Sequence, residues 1–338
     1  MKTKLFELCG ILAVCLFVSC NRDKLYYSYA EVANVKLNVD WSQTNITPNG
    51  VSAYIFDYNT GFAIGQEIIS NDINSVKLEL PQGQYDILVI NDTEYELENI
   101  DFNNTTKLSD FVALIHRLAD SKYGLNRASK NVGYATDCDV LAYDLIKEVT
   151  IDRHDIDYYQ ERPSVGGDEH IVYKEITAKP KQVTEVVEIV IDVMNINSAA
   201  GAPRSQLTDI VAGFTFALGA KLNDLVIHEF ALNNRVIDPD NYKKGRISKR
   251  FVCFGPNIAD NLRAIYEGKL IMNFALTNGD LYPIEIMVGN ILERTHNGYE
   301  YINKIHTEIT LPESIGNGDG VFNPDVEEWE DVDVEMPI

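Results

Sequence analysis

Six histidines and five cysteines are the side chains with which this chain could bind a metal or run covalent chemistry. The histidines are His116, His154, His170, His228, His296 and His306, and none falls in a His-Glu-x-x-His or other close ligand spacing. His154 stands with Asp152, Asp155 and Asp157 in the densest polar cluster. That cluster reads either as a metal site or, more simply, as a solvated acidic loop. Gly316-Asn317-Gly318-Asp319-Gly320 invites a calcium or phosphate reading. With Gly320 at the sixth place of a calcium loop, the first and last places fall on Ile315 and Val326, which lack the needed oxygen. No strand runs into a helix there, so a phosphate loop fails too, and a turn accounts for the segment. A Gly-x-Ser-x-Gly nucleophile elbow is absent from the sequence. Among 51 acids, a glycosidase pair of carboxylates cannot be singled out. The sequence therefore predicts a protein that is not an enzyme, with no cofactor and no metal.

The chain has 338 residues, 45% of them hydrophobic, 10% aromatic and 24% charged. Such a composition excludes a disordered, collagen-like or small disulfide-stapled chain, and the length suggests about two domains. The formal charge of −22 repels phosphate backbones, and no basic patch offsets it, so nucleic acid is not an expected partner.

Residues 1–19 read as an export signal. Lys2 and Lys4 precede a mostly apolar stretch from Leu5 to Val18, shorter than the roughly 20 residues of a permanent span. The stretch ends in Phe17-Val18-Ser19-Cys20 and is followed by polar Asn21-Arg22-Asp23-Lys24. This resembles a bacterial lipobox with cleavage before Cys20, although Phe17 stands where an aliphatic residue is usual. On that reading Cys20 carries the lipid, and several acyl chains at about 0.8 kcal/mol per buried CH₂ give firm attachment to a membrane. The alternative is an ordinary secretory signal with an incidental cysteine. Cys9 and Cys15 leave with the signal, so Cys138 and Cys253 remain, more simply as two separate buried thiols than as a disulfide.

Strand patterns dominate the rest. Val35, Leu37, Val39 and Trp41 alternate with polar residues, as do Val76, Leu78 and Leu80. Val51–Phe56 and Tyr85–Ile90 read as further strands, with turns at Thr47–Gly50 and Pro81–Gln84. Together they predict a β-meander in an antiparallel sheet with one wet face. Leu108, Phe111, Val112, Ile115 and Leu118 fall at helical spacing, which predicts one short amphipathic helix over about 105–120. Residues 152–170 are polar and read as a long loop. After Lys179-Pro180-Lys181, strands are expected at Val187–Val193, Phe214–Leu218, Leu225–Phe230, Phe251–Phe254 and Ile305–Leu311, with a hairpin over Leu270–Val288. The expected fold is all-β: two tandem sandwich domains with one short helix, at 35–178 and 179–338, behind a tether at 20–34.

Asp325, Glu327, Glu328, Glu330, Asp331, Asp333 and Glu335 make the C-terminal tail acidic. Within it Val332, Val334 and Met336 alternate with acids, and Ile338 follows beyond Pro337. The pattern suits an edge strand whose charges discourage unwanted pairing, or a strand exchanged with a partner. Eighteen tyrosines, including Tyr26-Tyr27, Tyr158-Tyr159, Tyr299 and Tyr301, suit strand packing first and surface recognition of a glycan or host protein second.

Taken together, the Cys20 lipobox, the Val35–Trp41 strand, the Leu80-Pro81-Gln82-Gly83-Gln84-Tyr85 turn, the Lys179-Pro180 entry into Val183–Val193 and the acidic tail around Trp329 resemble the fimbrillin-like lipoproteins of Bacteroidales and the anchor subunit of type V fimbriae. The resemblance implies two transthyretin-like β-sandwich domains, an outer-membrane lipoprotein and a role in anchoring or assembling a fimbria through a partner subunit. No arginine-protease maturation site stands out in the early mature chain apart from Arg22, which suits an anchor that keeps its lipid. Capture of a glycan or host protein without any polymer is the other function the sequence allows.

Overall fold

A computed structural model describes residues 31–93, 95–122, 132–159, 161–162, 170–258 and 266–313. The first half contains β1 (Val32–Val39), β2 (Val51–Asp57), β3 (Ile68–Ser70), β4 (Ser75–Pro81), β5 (Gly83–Asn91), β6 (Ile100–Asn103), β7 (Val112–Ile115), β8 (Gly133–Ala135) and β9 (Ala142–Ile151). Helix α1 (Arg153–Tyr158) follows, then β10 (Glu161–Arg162), β11 (His170–Ile171) and β12 (Lys174–Ala178). The second half contains β13 (Lys181–Gln182), β14 (Glu185–Met194), β15 (Arg204–Val211), β16 (Gly213–Thr215), β17 (Ala220–Lys221), β18 (Leu225–Ala231), β19 (Asn234–Asp238) and β20 (Asn241–Cys253). It ends with β21 (Lys269–Ala275), β22 (Leu281–Met287), β23 (Leu292–His296) and β24 (Tyr301–Thr310). Among the described residues no helix is long and apolar enough to cross a membrane.

The all-β sandwich architecture expected from the alternation is present, but the first half is not a meander. β1 pairs antiparallel with β4 and parallel with β12, while β2 and β5 belong to another sheet, ordered β13-β9-β5-β2-β3. The Pro81–Gly83 segment therefore carries the chain from one sheet to the next instead of closing a hairpin. The reason lies in β5, whose residues from Tyr85 to Asn91 are all buried. Tyr85, Ile87 and Val89 pack toward the β12-β1-β4 sheet with Val35, Leu37, Leu78 and Leu80. Leu88 and Ile90, with Tyr54 and Phe56 of β2, pack the other way. A strand apolar on both faces needs a covering layer on each, whereas a meander would leave one face wet.

The second covering layer is the sheet β17-β16-β7-β6, which joins strands from both sides of residue 179. Here the helix expected over 105–120 is a correction. The chain makes a single 3₁₀ turn at Leu108–Asp110 and then runs as β7, with Phe111, Ala113 and Ile115 buried. Phe111, Ala113 and Ile115 fit period two as well as Phe111, Val112 and Ile115 fit a helix, and pairing with β16 selects the strand. The α-helix instead occupies the expected polar loop. Asp152 accepts from the Asp155 N–H at 2.9 Å, and Asp155 accepts from the Asp152 N–H at 3.0 Å, a reciprocal cap that starts α1.

The second half is built on β19-β20-β14-β24-β23 facing β22-β21-β15-β18-β8, whose last strand β8 comes from the first half. Val187, Ile189, Ile191 and Ile305 meet Leu207, Phe230, Met272 and Phe274 between them. The β21–β22 hairpin forms as expected. The short Phe251–Phe254 strand is the end of the thirteen-residue β20, whose polar first half hid it from a hydrophobic pattern.

One end of the N-terminal layers matters below. Val32 pairs with Pro81, the Tyr58 N–H donates to Gln84 O at 3.0 Å, Gly83 pairs with Ile151, and Arg153 meets Glu31 at 2.6 Å. The entry to β1, the exit of β2 and the start of α1 therefore lie at one end. Asn91 ends β5, and it and the following Asp92 and Tyr95 lie at the other end.

Phe111 touches Tyr54, Phe102 and Phe216 at centroid distances of 5.0, 5.7 and 4.9 Å and is fully buried where the two halves meet. Phe111→Ala is expected to destabilise the protein by about 3–5 kcal/mol in urea unfolding. A loss below about 1 kcal/mol would show that the seam is not packed as described.

Candidate functional site

β20 supplies the candidate surface. Its outward positions Tyr242, Lys244, Arg246, Ser248 and Arg250 recur every second residue, as a half-buried strand requires. The register sets Arg246 opposite Val236 on β19 and Asp192 on β14, with Glu308 on β24 beyond Asp192. The Arg246 Nε–H donates to Asp192 Oδ1 at 2.7 Å, and His306 Nε2 meets Asp192 Oδ2 at 2.7 Å. The Arg246 guanidinium first and His306 second hold the Asp192 carboxyl below the usual range, while Asp192 raises Arg246. The twisted face forms an open groove of about 770 Å³, whose lining includes Asp192, Met194, Val236, Lys244, Arg246 and Glu308. Paired and single charges beside an apolar strip can hydrogen-bond and stack against a polar chain molecule. The alternation of 242–250 was the sequence signal for this surface, and the hydrophobic reading passed over it.

The groove lies where the described chain ends. Leu311 N–H donates to Met194 O at 3.0 Å, and Lys243 Nζ meets Glu313 at 3.0 Å. The partner-strand candidates Val332, Val334, Met336 and Ile338, with the Gly316–Gly320 turn, lie outside the described residues, as does Cys20. Among the described residues, several sheets end in strands paired on one side only. β19 and β23 flank the groove sheet, and β22 is an edge with Leu281 and Met287 exposed. Such edges can accept an added strand.

The other sequence-selected residues disperse. His116 pairs with Asp101 on β6, and His154 lies in α1 stacked with Tyr158. Asp152 and Asp155 cap that helix, Asp155 also binds Lys174 at 2.6 Å, and Asp157 pairs with Arg153. His296 sits edge-on to Tyr301. The described residues hold no group of three or more His, Cys, Asp or Glu able to bind a metal. Cys138 and Cys253 are both buried and free. Burial pushes both thiols up, Cys253 to about 12, so neither is a ready nucleophile.

His228 was not singled out by spacing, yet it holds the most unusual buried position. It is fully buried on β18, stacks on Phe251 of the facing sheet at 4.0 Å, and its Nε2 meets Asp137 at 3.1 Å. Asp137 also binds Lys249 at 3.0 Å, and among the described residues no partner reaches His228 Nδ1. Burial pushes the imidazole pKa down despite the Asp137 contact.

The sequence profile of DUF5119, a domain of unknown function, matches residues 19–227, more than half of the chain, and the chain belongs to that family. No curated protein matches it. Among solved structures, the crystal structure of a candidate adhesin from Bacteroides ovatus is similar at a TM-score of 0.52 and 15% identity, covering 87% of this chain and 94% of that one. Candidate polysaccharide-binding proteins (DUF1812) from Bacteroides thetaiotaomicron give 0.51 and 12%, covering 83% of this chain and 92% of that one. At these identities the likeness is one of fold.

His228 has its pKa lowered by folding, so its contribution is complete above the ordinary imidazole value of 6.5 and is lost as pH falls. Below that value the unfolded chain takes up a proton that the buried ring resists. Urea midpoints are expected to fall between pH 7 and about pH 5, and His228→Phe, which keeps the stack on Phe251, should flatten that slope. An unchanged slope in the variant would assign the acid sensitivity to other groups.

Proposed function

We propose that this chain is a lipid-anchored cell-surface protein that anchors or assembles a fimbria-like polymer, and that it performs no catalysis. The observation that carries the reading is the fold, shared along nearly its whole length with a protein described as a candidate adhesin. The lipobox at Cys20 and the resemblance to fimbrillin-like and anchor lipoproteins of Bacteroidales support the tether, the outer-membrane location and the polymer. Assembly would use β-strand complementation: a strand added at an open edge gains main-chain hydrogen bonds, and alternate side chains give selectivity. The segment Val332–Ile338 is the strand this chain would exchange.

A second reading, capture of a glycan without a polymer, is favoured by the groove on the β20 face and by the likeness to the polysaccharide-binding candidates. On that reading Lys244→Ala combined with Arg246→Ala removes binding on a glycan array while the tail is dispensable.

Radiolabelled palmitate should appear on the wild-type chain and not on Cys20→Ala, and globomycin should block its maturation. An unlabelled wild-type chain removes the lipid anchor. Deletion of 325–338 should lower binding to a purified fimbrial subunit at least roughly tenfold, as expected from losing most of an added strand. Unchanged binding takes the exchange role from the tail.

A further inference from the structure

We propose that the end of the N-terminal sandwich bearing Tyr58, Phe62 and Tyr158 rests on the surface of the same membrane that holds the acyl chains of Cys20. The inference builds on the lipid-anchor reading and adds an orientation and a second, non-covalent membrane contact. Three large aromatic side chains at this end are about half exposed: Tyr58 at 40%, its hydroxyl donating to Glu148 at 3.0 Å, Phe62 at 55%, and Tyr158, stacked on His154, at 49%. Tyr58 and Phe62 belong to the β2–β3 connection, a tight projection closed by the Gly61 N–H donating to Asp57 O at 2.7 Å and the Asp57 N–H donating to Phe62 O at 2.9 Å. Gly61 takes a left-handed φ of 72° at its tip, a conformation that costs glycine little. Tyr158 ends α1, which β1 holds through the Asn34 N–H donating to Tyr159 O at 3.0 Å and through the Glu31–Arg153 pair.

The position of the tether selects the occupant. Glu31, where the described chain begins, is at this same end, so the lipidated segment reaches the fold beside the exposed rings. Residues 21–30 join Cys20 to Glu31 and can span at most about 36 Å when fully extended. The aromatic end is thus confined within a few nanometres of the bilayer, and its local concentration there is high without further contacts. Tyrosine suits the headgroup layer because its ring prefers an apolar medium while its hydroxyl stays wet. Phe62 has a basic companion in Lys107, whose ammonium lies 5.7 Å from the ring centroid and 3.8 Å from the Asp110 carboxylate. Charges at this end are mixed, with Arg153 paired to both Glu31 and Asp157 and Lys107 to Asp110 beside the Asp57 carboxylate, which makes a zwitterionic lipid surface the fitting partner.

The full-length chain, purified with its acyl groups and reconstituted into phosphatidylcholine vesicles containing brominated phosphatidylcholine, provides the test. Tryptophan is introduced singly by Phe62→Trp, Tyr158→Trp and Tyr95→Trp. Tyr95 is 91% exposed at the opposite end and serves as the distal position. After subtraction of the parent signal from Trp41 and Trp329, bromolipid quenching is expected to be roughly twofold or more at positions 62 and 158 and negligible at 95, as for rings at headgroup depth. Mass spectrometry of the N-terminal peptide reports acylation in the same samples. An acylated chain with quenching at all three positions alike, or at none, overturns the docked orientation and leaves the anchor standing. A peptide without acyl chains overturns the anchor and this inference together.

Discussion

The sheet β13-β9-β5-β2-β3 is the constraint on which the architecture depends. β2 and β5 are apolar on both faces, and each face buried is worth about 25 cal/mol per Å² of apolar area removed from water. Neither face can be left wet, so the sheet sits as a middle layer. β12-β1-β4 covers one side. The sheet β17-β16-β7-β6 covers the other and draws its strands from both halves of the chain. Phe56, Phe102, Phe111, Phe214 and Phe216 fill that second interface, and Tyr143 reaches into it from β9. The two halves are consequently joined by a common core as well as by their chain connection.

Charge is managed locally within this frame. The chain is strongly acidic, yet Glu185, 4% exposed at its side chain, is held by Lys221, Arg294 and Asn303, drawn from three different strands. Arg294 in turn lies over the Tyr301 ring at 3.8 Å. The two cations and the amide offset the desolvation penalty that would make an unpaired buried carboxylate strongly destabilising. It also pins β17, β23 and β24 around the start of β14. Asp155, Glu229 and Glu300 are buried as well, and the net charge of −22 favours solubility and disfavours polyanions.

The surfaces left over are consistent with a protein that joins things. Among the described residues, the sheets of the second half end in strands paired on one side, one face carries the β20 groove, and one end of the first half brings Glu31 and half-exposed aromatic rings together. A lipid at the entry and a strand exchange or ligand at the far half would divide attachment from recognition along one molecule. Among the described residues, His116 and His306 meet Asp101 and Asp192, His154 and His296 contact tyrosine rings, and His228, Cys138 and Cys253 are buried.

Alternation made much of the architecture legible: the β1, β4 and β14 patterns and the β21–β22 hairpin follow from side chains that repeat every second residue. The signal and lipobox readings at Cys20 rest on local sequence chemistry and fall outside the described residues. What the sequence left open were choices between equivalent local patterns. Residues 111–115 fit a helix or a strand until β16 supplies hydrogen bonds. The Asp152–Asp155 box is polar enough to read as loop until β1 gives α1 something to pack on. The first half of β20 lacked an apolar stripe because its inner positions there include Gly245, whose added Cβ would meet Val236 O at 2.7 Å. Which sheet β5 joins, that β12 lies parallel to β1, and that His228 is buried against Phe251 were decided by tertiary structure alone, because burial on two faces and pairing across more than a hundred residues are properties of the assembled layers and not of any local window.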